Sequence, residues 1–214
     1  PKNDIELISN TTVKNKLQES GKKMVLTTFS SALISELDIV LLGLFYSGST
    51  LGVLAWARRI LEIIFQLVAA SLDILFPELA KAKNRDSISE LRIKLRKVFL
   101  LSFTVPILFI FFKGLASEIF TSLLGEEFSE VSTYTSWILF ALPVMVWSRI
   151  NIIFSRALNF EINITKSILF GSVASIGIYY FVHSFNNNPA VLSIILSQIV
   201  IGAITTYSFK KSYE

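Results

Sequence analysis

Between Ser49 and Leu79 the chain is a run of Leu, Ile, Val, Ala and Phe long enough to cross a bilayer, yet it carries Arg58, Arg59, Glu62 and Asp73. An uncompensated charge deep in hydrocarbon costs at least about 2.5 to 3.5 kcal/mol, so such groups face a bundle interior or a watery cavity. This stretch therefore predicts a helix that walls an internal space. The segment before it, Lys23 to Tyr46, is equally apolar and carries Glu36 and Asp38, and only Ser47, Gly48, Ser49 and Thr50 separate the two. If the pair folds back as an antiparallel hairpin about that turn, Asp38 comes level with Arg59, and Glu36 with Leu61 and Glu62. Opposite charges then meet across two helices.

The rest of the composition agrees with a membrane setting. The chain is 52% apolar with a mean hydropathy of +0.61, too oily for a water-soluble domain of this length. A net charge of +4 does not imply nucleic acid here, because the basic residues are segregated into particular loops, which is a topology signal. With no cysteine and one histidine, no disulfide framework, thiolate metal site or histidine cluster is available. The chain starts at Pro1 with a predominantly polar first twenty residues and no visible signal peptide, and reads as a piece of a longer protein.

Asking for about 20 apolar residues per span predicts an all-α, polytopic transmembrane helix bundle. Its six spans run over about 23–46, 51–79, 98–112 or longer, 133–158, 164–183 and 191–209. Residues 1–22 form a cytoplasmic linker, 23–209 the six-helix bundle and 210–214 a cytoplasmic tail. Ser47 to Thr50 and Ser184 to Pro189 read as tight turns. In Lys81 to Lys97, Ile88, Leu91, Leu95 and Val98 share one face, the pattern of a basic amphipathic helix on the membrane surface; a solvated charged linker is the plainer reading. Lys113 to Ser132 reads as a short interfacial helix with a turn at Gly125. Basic residues crowd the N-terminal segment, the 81–97 segment, the loop flanked by Arg156 and Lys166, and the C-terminus, while the alternate loops hold only Lys113. The positive-inside rule then makes both ends of this segment cytoplasmic.

Four stretches resemble a known family. Glu36-Leu-Asp-Ile-Val-Leu-Leu-Gly43 looks like a span end with an Asp before an aliphatic run and a Gly. Leu51-Gly-Val-Leu-Ala-Trp-Ala-Arg58 is similar to a Leu-Gly-aliphatic opening followed by an aromatic, an Ala and an Arg. Leu75-Phe-Pro-Glu-Leu79 is like a Phe-Pro-Glu ending, and Leu124-Gly-Glu-Glu-Phe128 is like an acidic loop before a later span. In this order and spacing they resemble the polysaccharide and lipid-linked oligosaccharide flippases of the multidrug/oligosaccharidyl-lipid/polysaccharide exporter superfamily. The resemblance implies the C-terminal lobe of a MATE-like two-lobe transporter in the cell membrane of a bacterium or archaeon, with alternating access and no covalent chemistry, so no enzyme. It implies as partners a polyprenyl-pyrophosphate-linked glycan, membrane lipids, the N-terminal lobe of the same chain and a polysaccharide polymerase. No cofactor is expected; a proton or sodium gradient would drive transport. The doubled arginine and the additional Glu36 depart from the family pattern and leave open which member of each pair faces the cavity.

Arg58 and Arg59 lie about 12 to 14 Å into their helix. One reading puts a guanidinium on the pyrophosphate of a lipid-linked sugar, for which its fork of donors is suited. The plainer reading is mutual neutralisation with Glu62 and Asp38. Asp38, Glu36 and Glu62 are candidates for ion coupling, since burial raises a carboxylate's pKa, or else are permanently paired with arginine. Trp56 is placed to stack on a sugar ring, and Arg149 either joins the cavity beside Asn151 or snorkels to lipid headgroups. Trp137, Trp147, Tyr46, Tyr134, Tyr179 and Tyr180 read as interfacial anchors, His183 as solvated and Asp73 as interfacial. Pro77, Pro106 and Pro143 read as bending points, and Gly171, Ser172, Ser175 and Gly177 as a close-packing stripe. Three other functions compete. A drug exporter would have a cavity ruled by carboxylates and aromatics, with the arginines neutralised by Glu62 and Asp38; a glycosyltransferase a metal-binding carboxylate pair or a large outer loop; and a non-transporting scaffold every buried charge paired and no cavity at all.

Overall fold

The computed structural model describes residues 36–37, 39–81, 85–157, 161–185 and 189–213, with positions 18, 21, 22, 25 and 29. Among the described residues the chain is helical, with no strand. Helical residues 39–45 lead through Tyr46 and Ser47 into α1 (Gly48–Asp73), followed by α2 (Phe76–Lys81), α3 (Arg85–Ser102), α4 (Thr104–Phe111) and α5 (Lys113–Leu124). A single 3-10 turn, Glu126–Phe128, precedes α6 (Val131–Ile138), and a second, Leu139–Ala141, joins α6 to α7 (Leu142–Ala157). The chain closes with α8 (Glu161–Phe185) and α9 (Pro189–Tyr213). The turn expected over Ser47 to Thr50 is shorter than that: α1 already begins at Gly48, whose φ of +63° suits a residue without a side chain.

Among the described residues three stretches are long and apolar enough to cross a membrane: Gly48–Leu79, Glu126–Ser155 and Ala190–Ser208. They coincide with the expected second, fourth and sixth spans. The third becomes a broken pair, Ile93–Phe111 and Lys113–Leu124, bent by 68°, and the fifth contains the shorter apolar helix Ile168–Ser184. The first falls largely outside the described residues. From Arg85 onward the basic stretch is not a helix apart from the third span, because α3 runs unbroken from Arg85 to Ser102, with Leu91 and Leu95 buried and Lys94, Arg96 and Lys97 exposed. Gly125 ends α5 with φ +102°, the turn its sequence predicts.

Proline places the breaks. Pro77, Pro106, Pro143 and Pro189 all fall in the first turn of a helix, where the missing N–H has no intrahelical partner to lose. They mark jogs between α1 and α2, α3 and α4, and the 3-10 turn and α7. The 68° bend at Phe112 has no proline; there the apolar run simply meets Lys113 and Gly114.

The hub is the Glu126–Ser155 stretch, with 72% of its apolar 18-residue window buried against 22% for that of Gly48–Leu79. Ile138, Leu139, Leu142 and Val146 are wholly enclosed and pack with Leu54, Leu61, Leu72 and Leu95 in one core. On the far side α8 and α9 lie along each other. Ser172 and Ser175 are buried there, bonded to the carbonyls of Ile168 and Gly171, and a Cβ on Gly171 would come within 3.1 Å of Ile201 Cγ1. Gly177 faces open space, so the expected stripe of close contact stops short of it. Near the start of α1, His183 stacks on Phe45 with centroids 4.2 Å apart, and Tyr180 meets Phe45 edge-on at 5.2 Å. His183, expected to be satisfied or solvated rather than a ligand, joins this aromatic cluster while staying exposed.

One polar node ties α7 to α9. The Thr206 hydroxyl accepts from the Trp147 indole and the Asn151 amide, both at 2.8 Å, and donates to the Gly202 carbonyl at 2.7 Å. Trp147, read from sequence as an interfacial anchor, spends its N–H on this node and packs on Phe99, 5.2 Å between centroids. Thr206→Val strands two donors, one of them on the buried Asn151, and is expected to cost about 1 to 2 kcal/mol. Thermal unfolding of the detergent-solubilised protein reads this. Thr206→Ser, which keeps the hydroxyl, should unfold with the wild type, and an unchanged midpoint in Thr206→Val would leave the node without energetic weight.

Candidate functional site

Helical phase separates the two arginines. The inward stripe of α1 is Leu54, Ala57, Arg58, Leu61, Glu62, Ala69 and Leu72, the three-and-four spacing of a core-facing helix. Arg58 and Glu62 occupy two places where that spacing would put leucine. Arg59 is one residue, or about 100°, round the helix. It shares the outer face with Trp56, Ile63 and Leu67, all exposed.

Arg58 is 1% exposed and lines a cavity of about 230 Å³. The polar lining is Arg58, Glu62 and Gln66 from α1, Ser148 and Arg149 from α7, and Gln198 from α9. Phe65, Met145, Ile152, Ile168 and Ile201 complete the wall. On α1 the lining residues recur at Arg58, Glu62, Phe65 and Gln66, and on α7 at Met145, Ser148, Arg149 and Ile152, so each helix offers one face. Liquid water takes about 30 Å³ per molecule, so this space equals roughly seven waters. It lies below the roughly 300 to 1,000 Å³ of pockets that take drug-sized ligands, and it fits a small charged group rather than a sugar chain.

Both oxygens of Glu62 are engaged. Arg59 Nη1 donates to Oε2 at 2.8 Å and Gln66 Nε2 to Oε1 at 3.1 Å. Arg59 thus reaches over from the outer face, its side chain 58% exposed, to neutralise a carboxylate on the inner one. At the other end of the cavity Arg149 Nη2 donates to Asp73, the last residue of α1, in an ion pair. Arg149 Nε is buried without a hydrogen-bond partner.

The sequence-predicted residues therefore divide. Arg58, Glu62 and Arg149 come together around one cavity. Arg59 touches it only through Glu62, and Trp56 is 42% exposed on the outer face, outside the cavity wall. Glu36 is exposed and also outside that wall. Asp38, expected level with Arg59, lies outside the described residues. Sequence reasoning missed Gln66, Gln198 and Asp73. Gln66 is four residues beyond Glu62 and Gln198 interrupts an apolar span, so both left a signal; the pairing of Asp73 with a residue on α7 left none. Among the described residues no group of three or more His, Asp or Glu is arranged to hold a metal ion.

The arrangement is a partly open, mixed-charge pocket within the helix bundle, with the guanidinium groups of Arg58 and Arg149 both in its wall. Searches of curated proteins and of solved structures return no match. A family model described as "Polysaccharide biosynthesis protein" matches residues 3–133. That range is more than half of the chain and holds Arg58, Arg59, Glu62 and Asp73. This helical membrane protein accordingly belongs to the polysaccharide biosynthesis protein family.

Proposed function

We propose that the chain is one lobe of a flippase that moves a polyprenyl-pyrophosphate-linked oligosaccharide from the inner to the outer leaflet of the cytoplasmic membrane by alternating access. The lobe has six spans with both ends cytoplasmic, and an N-terminal lobe of the same protein completes it. An O-antigen or other polysaccharide repeat unit is the glycan class, and a proton or sodium gradient supplies the drive without any cofactor or covalent step. The observation that carries this reading is Arg58, enclosed at membrane depth and lining a cavity, in a member of a polysaccharide biosynthesis family. Guanidinium stays charged at any accessible pH and matches phosphate with a fork of donors. The cavity admits a diphosphate but not a glycan, so the sugar would travel in the wider gap between lobes while the lipid tail stays in the bilayer. The drug-exporter reading expects arginines neutralised by carboxylates, as Arg59 is by Glu62, but also a cavity ruled by carboxylates and aromatics, and this wall holds two arginines against the one carboxylate of Glu62 and the one aromatic ring of Phe65.

Reconstituting the full-length protein in liposomes tests this. Polyprenyl-pyrophosphate disaccharide is expected to cross far faster than in protein-free vesicles, and the same disaccharide on a polyprenol without phosphate to cross no faster. Equal transport of both would overturn the anion-based reading.

A further inference from the structure

The ion pair between Asp73 and Arg149 is in the wrong place for a stabilising device. Asp73 ends α1, where the helix dipole disfavours an anion. Its side chain is 47% exposed, against 22% for Arg149, so water stands ready to take the carboxylate back. Asp73 occupies only Nη2 of a group with five donors in a planar fork, and Arg149 Nε is buried with no partner. A buried donor left unmade costs free energy, so this geometry under-uses the arginine. Arg149 meanwhile lines the same cavity as Arg58, with Gln66 and Gln198 between them as neutral polar groups. A carboxylate holding one corner of a cavity-wall guanidinium has the chemistry of a stand-in for an incoming anion.

We propose that Asp73 is a positioning residue and internal competitor. It holds Arg149 at the cavity wall while the cavity is empty and gives it up to a phosphate-bearing headgroup that can engage the fork through two donors. The inference rests on the anion-binding reading above. It adds that affinity is deliberately held down at this end, so that an anion which binds can also leave. Removing the competitor should then tighten binding, whereas removing a merely structural residue should loosen it.

The test is calorimetric titration of inorganic pyrophosphate into the full-length protein in detergent, comparing wild type, Arg149→Gln, Asp73→Asn and the double variant. Arg149→Gln is expected to weaken binding at least about tenfold, the worth of a charge-assisted hydrogen bond. Asp73→Asn is expected to tighten it about two- to fivefold, the worth of a half-exposed ion pair, and to have no further effect once Arg149 is glutamine. Asp73→Glu, which keeps the competing charge, should stay within twofold of wild type. Asp73→Asn that binds no tighter, or that does not fold, overturns the competitor role while the loss in Arg149→Gln leaves the anion site standing. No pyrophosphate binding by the folded wild type overturns both.

Discussion

Arg58→Ala is expected to reduce surface glycan at least tenfold in cells that depend on this protein, while Arg59→Ala stays within about twofold of wild type. The difference follows from the phase of α1. Arg58 lines the cavity and is 1% exposed. A charge-assisted hydrogen bond there is worth about 1.5 to 3 kcal/mol, and 1.4 kcal/mol is tenfold. Arg59 reaches the cavity only through Glu62 and is itself 58% exposed, so its loss removes no donor from the cavity wall, and Gln66 still donates to the Glu62 carboxylate. Arg58→Lys separates charge from geometry: it keeps a cation in the wall but loses the fork, and an intermediate loss is expected. Protein amounts measured in the membrane fraction guard against reading a folding defect as a transport defect. Equal losses in Arg58→Ala and Arg59→Ala would mean that helical phase does not decide which arginine works.

Gly202→Leu is expected to be the most damaging single change outside the cavity. A Cβ at Gly202 would stand 2.9 Å from Val144 Cγ1 and 3.1 Å from Ser148 Oγ, so even alanine forces α7 and α9 apart. Overpacking costs about 1 to 3 kcal/mol, and leucine should reach the upper end because these helices gain their association from close approach rather than from hydrophobic transfer. The effect reaches the site as well, since Ser148 adjoins Arg149 and both line the cavity. Thermal unfolding in detergent should show a lowered midpoint for Gly202→Ala and a larger drop for Gly202→Leu. A midpoint in Gly202→Leu equal to wild type would mean that the two helices are free to separate without loss.

Much of this was legible in the sequence, and the exceptions have physical reasons. Hydropathy located α1, the α6–α7 stretch and α9 because about 20 apolar residues are needed to cross hydrocarbon, whatever packs around them. Breaks were legible where proline made them and at Phe112, where the third span was expected to end and an interfacial helix to begin; the 68° angle between the two was not, because Lys113 and Gly114 mark a junction without setting its angle. Continuity of α3 from the basic residues at 85–97 into the third span was missed because charge pattern reports the side facing water, not where a helix stops. The choice between Arg58 and Arg59 was present in the spacing of Leu54, Leu61 and Leu72, which places Arg58 in phase with the core. The partner of Arg149 was not, because Asp73 meets it from 76 positions away, and no local pattern reports a contact set by how two helices pack.

The central claim is that a phosphate-bearing headgroup is held by the arginines of the cavity wall. A cryo-electron microscopy map of the intact protein with a polyprenyl-pyrophosphate glycan bound tests it most directly. Phosphate density within hydrogen-bonding distance of the Arg58 or Arg149 guanidinium, with Asp73 released from Arg149, is the predicted result. Density elsewhere, with Arg58 still enclosed by protein side chains and Arg149 still on Asp73, would contradict it.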